Sequence, residues 1–165
     1  MFKNLFRKKE VTKDEAFFAP MTGAVKKIED VPDPTFAEKM MGDGIAIEPT
    51  EGLVVAPCNG EVIQVFPTKH AIGIQSESGI ELLIHIGLET VSLDGEGFET
   101  FVNQGDQVKT GDKLVEVDLD IVREKADGTI TPMVLTNGDM IDSVEKMDET
   151  ESVAGTTKLL HVHLK

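Results

Sequence analysis

An all-β fold of many short strands, a sandwich or a barrel, is predicted by three features of this sequence. Beyond residue 18 apolar and polar residues alternate with period two in runs rich in Val, Ile and Leu. Gly, Pro, Asp and Asn interrupt those runs at short intervals. Helical spacing is confined to two stretches of a turn or two, PTFAEKMMG (34–42) and IVREKADG (121–128), each ending in Gly.

In chain order the strand candidates are GAVKKI (23–28), GIAIEP (44–49), LVVAP (53–57), GEVIQVF (60–66), AIGIQS (71–76), IELLIHI (80–86), KLVEVDL (113–119), TPMVLT (131–136) and KLLHVHL (158–164). Asp30 and Pro32 close the first, Pro49 the second and Pro57 the third. Asn59-Gly60 opens the fourth, SESG separates the fifth from the sixth, Gly111-Asp112 precedes the seventh, and Asn137-Gly138 follows the eighth. The chain also echoes itself. APMTGAVKKI (19–28) matches APCNGEVIQV (56–65), and GIAIEPTEG (44–52) matches AIGIQSESG (71–79), with ten more residues in the first copy, in the stretch that includes EDVPDPTFAEKMM. Two related half-domains packed together are expected.

Of the 165 residues 40% are apolar, enough for a core in one domain. Thirty Asp and Glu against sixteen Lys and Arg would repel phosphate backbones, so no nucleic-acid partner is expected. The single Cys58 excludes an internal disulfide or multi-thiolate zinc site and reads as a buried, inert thiol. Residues 1–17 read as a basic, amphipathic tail, with Lys3, Arg7, Lys8 and Lys9 beside Phe2, Leu5 and Phe6. Weak contact with a membrane is within its reach. Residues 18–165 read as one domain. The start lacks the apolar middle of a secretory signal, so the expected place is the cytoplasm, at most peripheral to the inner face of the membrane.

His85 stands inside the apolar run IELLIHI and is not explained as core. If Ser76 and Gly79 close a two-residue hairpin loop, paired positions sum to 155 and His70 faces His85. Opposed residues share a sheet face at roughly 4.5–5.5 Å between Cβ atoms, so the rings would nearly touch. Two neighbouring imidazoles are not both charged cheaply, which leaves one neutral near pH 7 as nucleophile, base or ligand. With no Ser or Cys nucleophile motif nearby, phosphoryl transfer to a histidine fits.

IEDVPDPTFAEKMMGDGIAIEPTEG, PTKHAIGIQSESGIELLIHIGLETVSLDGEGF and GDQVKTGDKLVEVDL occur in that order, and from about Phe18 to the C-terminus the chain resembles the glucose-type enzyme IIA of the bacterial sugar phosphotransferase system. The resemblance implies an antiparallel β-sandwich, a duplicated barrel-sandwich hybrid. It implies a phosphotransferase component that accepts phosphate from the histidine-containing phosphocarrier protein and gives it to a cysteine of a sugar-specific IIB domain of a membrane permease. On the same basis His85 takes the group at Nε2, His70 supports it, Thr68 orients His70, and the Gly87 carbonyl holds the Nδ1 proton of His85. The implied docking surface is Phe36, Met40, Met41, Phe66, Leu83 and Val91, rimmed by Asp33 and Glu89. Glu89 stands where an aspartate would be expected, and Leu83 where some relatives carry an aromatic. No cofactor is required. Binding of regulatory target proteins is a further use of the same face, with His70 and His85 supplying half of an intermolecular zinc site.

Two other readings are weaker. His161-Val162-His163 resembles part of the zinc site of lysostaphin-type peptidases, but the His-x-x-x-Asp those enzymes need is absent, since Ile74 is the fourth residue after His70. GDQVKTGDKL resembles biotinyl and lipoyl domains, but the comparable hairpin tip, Ser76-Glu77-Ser78, offers no lysine amine.

Overall fold

The structure, a computed structural model, describes residues 14–165. Its strands are β1 (Asp14–Phe18), β2 (Gly23–Lys27), β3 (Gly44–Pro49), β4 (Leu53–Val55), β5 (Gly60–Val65), β6 (Ala71–Ser76), β7 (Glu81–His85), β8 (Phe98–Thr100), β9 (Gln107–Val108), β10 (Lys113–Val117), β11 (Thr131–Leu135), β12 (Ile141–Lys146), β13 (Glu151–Ser152) and β14 (Lys158–Leu164). They form an eight-stranded sheet in the order β13-β2-β3-β11-β7-β6-β5-β9 and two three-stranded sheets, β1-β14-β12 and β4-β10-β8. The pairings within these sheets are antiparallel. The fold is the expected antiparallel β-sandwich.

Two boundaries differ from expectation. The tail was expected to run to residue 17, but Asp14–Phe18 is a strand paired with β14, and Phe17 is fully buried in the core. The basic, amphipathic part and its expected membrane contact fall on residues 1–13, outside the described residues. No helix among the described residues is long and apolar enough to cross a membrane. The helices are short: α1 (Pro34–Ala37) and α2 (Leu119–Lys125). The second begins two residues before the expected start, because the Asp118 carboxylate caps it by accepting from the Asp120 and Ile121 N–H groups.

The internal echo is also geometric. In β2–β3 Gly23 pairs with Pro49 and Val25 with Ile47; in β5–β6 the matching Gly60 pairs with Ser76 and Val62 with Ile74. After Val62 a bulge shifts the second copy by one residue. The two glycines are required for the same reason. A Cβ on Gly23 would lie 2.2 Å from the Glu48 carbonyl oxygen, and one on Gly60 2.2 Å from that of Gln75.

The large sheet buries both faces. Ile45, Ile47, Ile72, Ile74, Leu82, Ile84, Met133 and Leu135 point into the main core. Ala46, Ala71, Leu83 and Val134 alternate with them and form a second, smaller cluster with Ile28, Val31, Phe36, Leu88 and Ile130. Ile28 ends the first repeated segment, and Val31 and Phe36 follow it in the stretch that holds the extra residues, so that stretch roofs the small core. Cys58 is buried, and burial pushes its thiol pKa up, away from nucleophilic use.

Gly60→Ala should cost about 1–3 kcal/mol, because the strand pair must part to admit a methyl group. Gly138→Ala, which meets nothing within 4 Å, should stay within about 0.5 kcal/mol of the parent. Denaturant midpoints measure both, and equal values would show that the close approach at Gly60 carries no constraint.

Candidate functional site

His85 closes β7, a strand held on both sides by β6 and β11 in the middle of the large sheet. The strand ends because Gly87 adopts φ +76°, and a Cβ there would lie 2.7 Å from Thr90 Cγ2 and 2.9 Å from the Gly128 carbonyl oxygen. That turn aims the Gly87 carbonyl at the ring, 2.8 Å from His85 Nδ1. A carbonyl only accepts, so Nδ1 carries the proton and Nε2 presents a lone pair.

His70 approaches from the β5–β6 connection. The expected facing of His70 and His85 across the ladder is wrong by one residue: Ala71 pairs with His85, Gly73 with Leu83 and Gln75 with Glu81. The loop has three residues, not two. The Ser76 N–H donates to the Ile80 carbonyl and the Gly79 N–H to that of Ser76, with Gly79 at φ +96° as the bulge glycine. The rings meet nonetheless, with centroids 5.0 Å apart at 80°. His70 lies just outside β6, where Lys69 takes the left-handed conformation (φ +63°) and turns the chain. The His70 carbonyl still accepts from the Ile86 N–H, which fixes the backbone beside His85. Its ring is buried, and Thr68 Oγ1 lies 2.5 Å from its Nδ1.

Phe36 packs against His85 with centroids 5.1 Å apart, and Phe66 lies edge-on to His70 at 5.5 Å. With Asp33, Thr35, Met41, Thr68, Glu89 and Val91 these rings line an open depression of about 350 Å³. One expected docking residue, Leu83, needs correction. Phe36 is 3% exposed and Leu83 8%; both belong to the small core, and Leu83 lies outside the depression's lining. The inserted stretch roofs that sheet face and leaves Leu83 little surface to offer, while the Phe36 ring borders His85 and lines the depression. Met40 is exposed but outside the lining, whereas Met41 and Val91 are exposed within it. Thr35 was missed. Its N–H is received by the Asp33 carboxylate at 3.0 Å, so the Asp-Pro-Thr helix-start signal could have found it. Glu89 adopts φ +59°, a region that aspartate enters more readily than glutamate, which gives a backbone reason for the residue type expected there.

Burial is the leading cause of the electrostatics. It lowers the His70 pKa to about 4, with His85 adding to the shift. It also lowers that of His85, opposed by the Gly87 hydrogen bond and by the charges of Asp33 and Glu89. Both rings are therefore neutral near pH 7, through desolvation more than through mutual repulsion.

Residues 15–141 match the family described as the phosphoenolpyruvate-dependent sugar phosphotransferase system, EIIA 1. A glucose-specific EIIA component of Bacillus cereus is 54% identical over 165 residues, covering 100% of both chains. That of Staphylococcus aureus is 54% identical over 163 residues, covering 98% of both. Among solved structures, glucose permease IIA from Mycoplasma capricolum superposes with a TM-score of 0.81 at 41% identity, over 91% of this chain and 96% of that one.

Ring-carbon NMR titration of the free chain should keep His70 neutral down to about pH 4 and show His85 titrating below the ordinary 6.5. A folded value below the unfolded one means the unfolded chain takes the proton first, so His70 contributes full stability above about pH 6.5 and loses it as the pH falls toward 4. Titration of His70 at 6.5 would contradict this account of the site.

Proposed function

Because the chain belongs to the EIIA 1 family of the phosphoenolpyruvate-dependent sugar phosphotransferase system, and is thus a phosphoryl-carrying component of it, we propose that Nε2 of His85 is the atom that carries the group. The observation behind this reading is the Nδ1 contact with Gly87, which leaves Nε2 as the free nitrogen of a neutral ring at the floor of an open depression.

The lone pair of His85 Nε2 attacks phosphorus in line on a phosphohistidine of the histidine-containing phosphocarrier protein. The new N–P bond forms as the old one breaks, and the donor ring keeps the electron pair of the broken bond. The Nδ1 proton stays on His85 throughout, held by Gly87. The carried group has about two negative charges near neutral pH. Opposite it, Thr68 donates its hydroxyl proton to His70 Nδ1, so that His70 Nε2–H donates to a phosphoryl oxygen as a neutral ring. A cysteine thiolate of a sugar-specific IIB domain then attacks the same phosphorus, and the bonding pair returns to His85 Nε2. The exchange between side chains needs no cofactor.

Both partners dock on the same depression. Met41 and Val91, with Met40 beside them, provide exposed apolar surface, and Asp33 and Glu89 provide charge. On a chain of net charge −14 this rim attracts basic partner surfaces and favours fast, salt-sensitive encounters. The expected setting is the cytoplasm beside the permease.

His85→Ala should accept no labelled phosphate from the donor protein, and retained histidine labelling in that variant would reject the assignment. His70→Gln should still be charged but should deliver the group to the IIB cysteine on the order of 10²-fold more slowly, the usual cost of losing one preorganised donor. Unimpaired delivery would remove His70 from the mechanism. Val91→Glu should weaken donor docking while leaving the fold intact, measured as a raised KM for the donor with kcat little changed; an unchanged KM would place the docking surface elsewhere.

A further inference from the structure

The outer face of the β1-β14-β12 sheet carries a second group of metal-ligating side chains, one that phosphoryl transfer does not use. Alternation along β14 sends Leu160 and Val162 into the main core and sets His161 and His163 on the other face. Register places Asp14 of β1 opposite His163, and Glu145 of β12 opposite His161. Opposed residues share a face, so two imidazoles and two carboxylates from three strands gather over the middle of this sheet.

Asp14, His161 and His163 are close enough to share one ion, and Glu145 contacts His163 beside them. The two imidazole centroids are 4.9 Å apart. His161 Nε2 lies 3.6 Å from Asp14 Oδ2, and His163 Nε2 lies 2.9 Å from Glu145 Oε1. Nitrogen and oxygen ligands bonded tetrahedrally at about 2.0–2.1 Å sit roughly 3.3 Å from each other, and the two observed separations straddle that value. One ligand atom each from Asp14, His161 and His163 lies within 4.8 Å of the others, the one such group among the described residues.

We propose that Asp14, His161 and His163 bind a divalent transition-metal ion of the zinc type, with Glu145 as the fourth ligand. Two imidazoles with two carboxylates suit zinc and its neighbours in the first row, whereas calcium and magnesium prefer all-oxygen shells. No reaction is assigned to the ion. It ties β1, the first described strand, to the C-terminal strand β14 and to β12, and it stabilises the folded chain in proportion to its concentration because the unfolded chain does not hold the four groups together. The group lies on a different sheet from His70 and His85, so its occupation is independent of the phosphoryl site. Without an ion the same four residues make two ordinary surface histidine–carboxylate contacts, which is the outcome the test must distinguish.

The full chain, stripped with a chelator, is titrated with zinc by calorimetry and melted with and without the ion. The parent should bind an ion that is lost in the double variant His161→Gln/His163→Gln and retained in His70→Gln. Asp14→Asn should weaken it by roughly tenfold or more. The melting temperature should rise with zinc in the parent and not in the double variant. Acceptance of phosphate at His85 by that variant shows that it is folded. Zinc binding equal in parent and double variant, loss in His70→Gln instead, or no binding by the parent up to millimolar zinc would each overturn the proposal.

Discussion

The hydrogen bond from His85 Nδ1 to the Gly87 carbonyl, 2.8 Å long, sets the tautomer of the ring, and the remainder of the site is arranged around its consequence. A histidine whose protonated nitrogen is fixed has one nitrogen left for chemistry, and the ring lines an open depression. Gly87 holds this carbonyl in place only because it can take a left-handed turn between Thr90 and Gly128 where a side chain would collide. Burial keeps both imidazoles neutral, so the Nε2 lone pair of His85 is not lost to protonation near pH 7.

The sheet solves a second problem, which is to make a histidine pair rigid while leaving it accessible. β7 lies inside an eight-stranded sheet whose two faces are both apolar. The inserted segment covers the small core, bringing Phe36 against His85 and Asp33 into the rim. The second repeat therefore brings His70 beside His85 of the following strand, and the extra residues of the first supply much of their surroundings. Met41 and Val91 remain exposed beside the rings, which leaves apolar surface in the lining of the depression.

Much of this was legible in the sequence. The period-two runs gave the strands, and the repeated turn-strand segments gave a duplication that reappears as equivalent pairing of Gly23 with Pro49 and Gly60 with Ser76. The hairpin register was not legible, because Ser-Glu-Ser-Gly suits a two-residue loop or a three-residue loop with a bulge glycine, and only backbone geometry at Gly79 separates them. The two histidines were expected to meet for a reason that fails by one residue, and they meet through the left-handed Lys69 instead. Leu83 misled for a related reason. Alternation shows that a residue leaves one face of a strand, but it does not show that the other face is also covered.

The central claim is that Nε2 of His85, with Nδ1 protonated, bears the phosphoryl group. Nitrogen-15 NMR of the uniformly labelled chain, charged by its donor phosphocarrier, reads this directly through one-bond coupling to phosphorus. The account predicts coupling to His85 Nε2 with a proton retained on Nδ1. Coupling to His85 Nδ1, or to either nitrogen of His70, would contradict it.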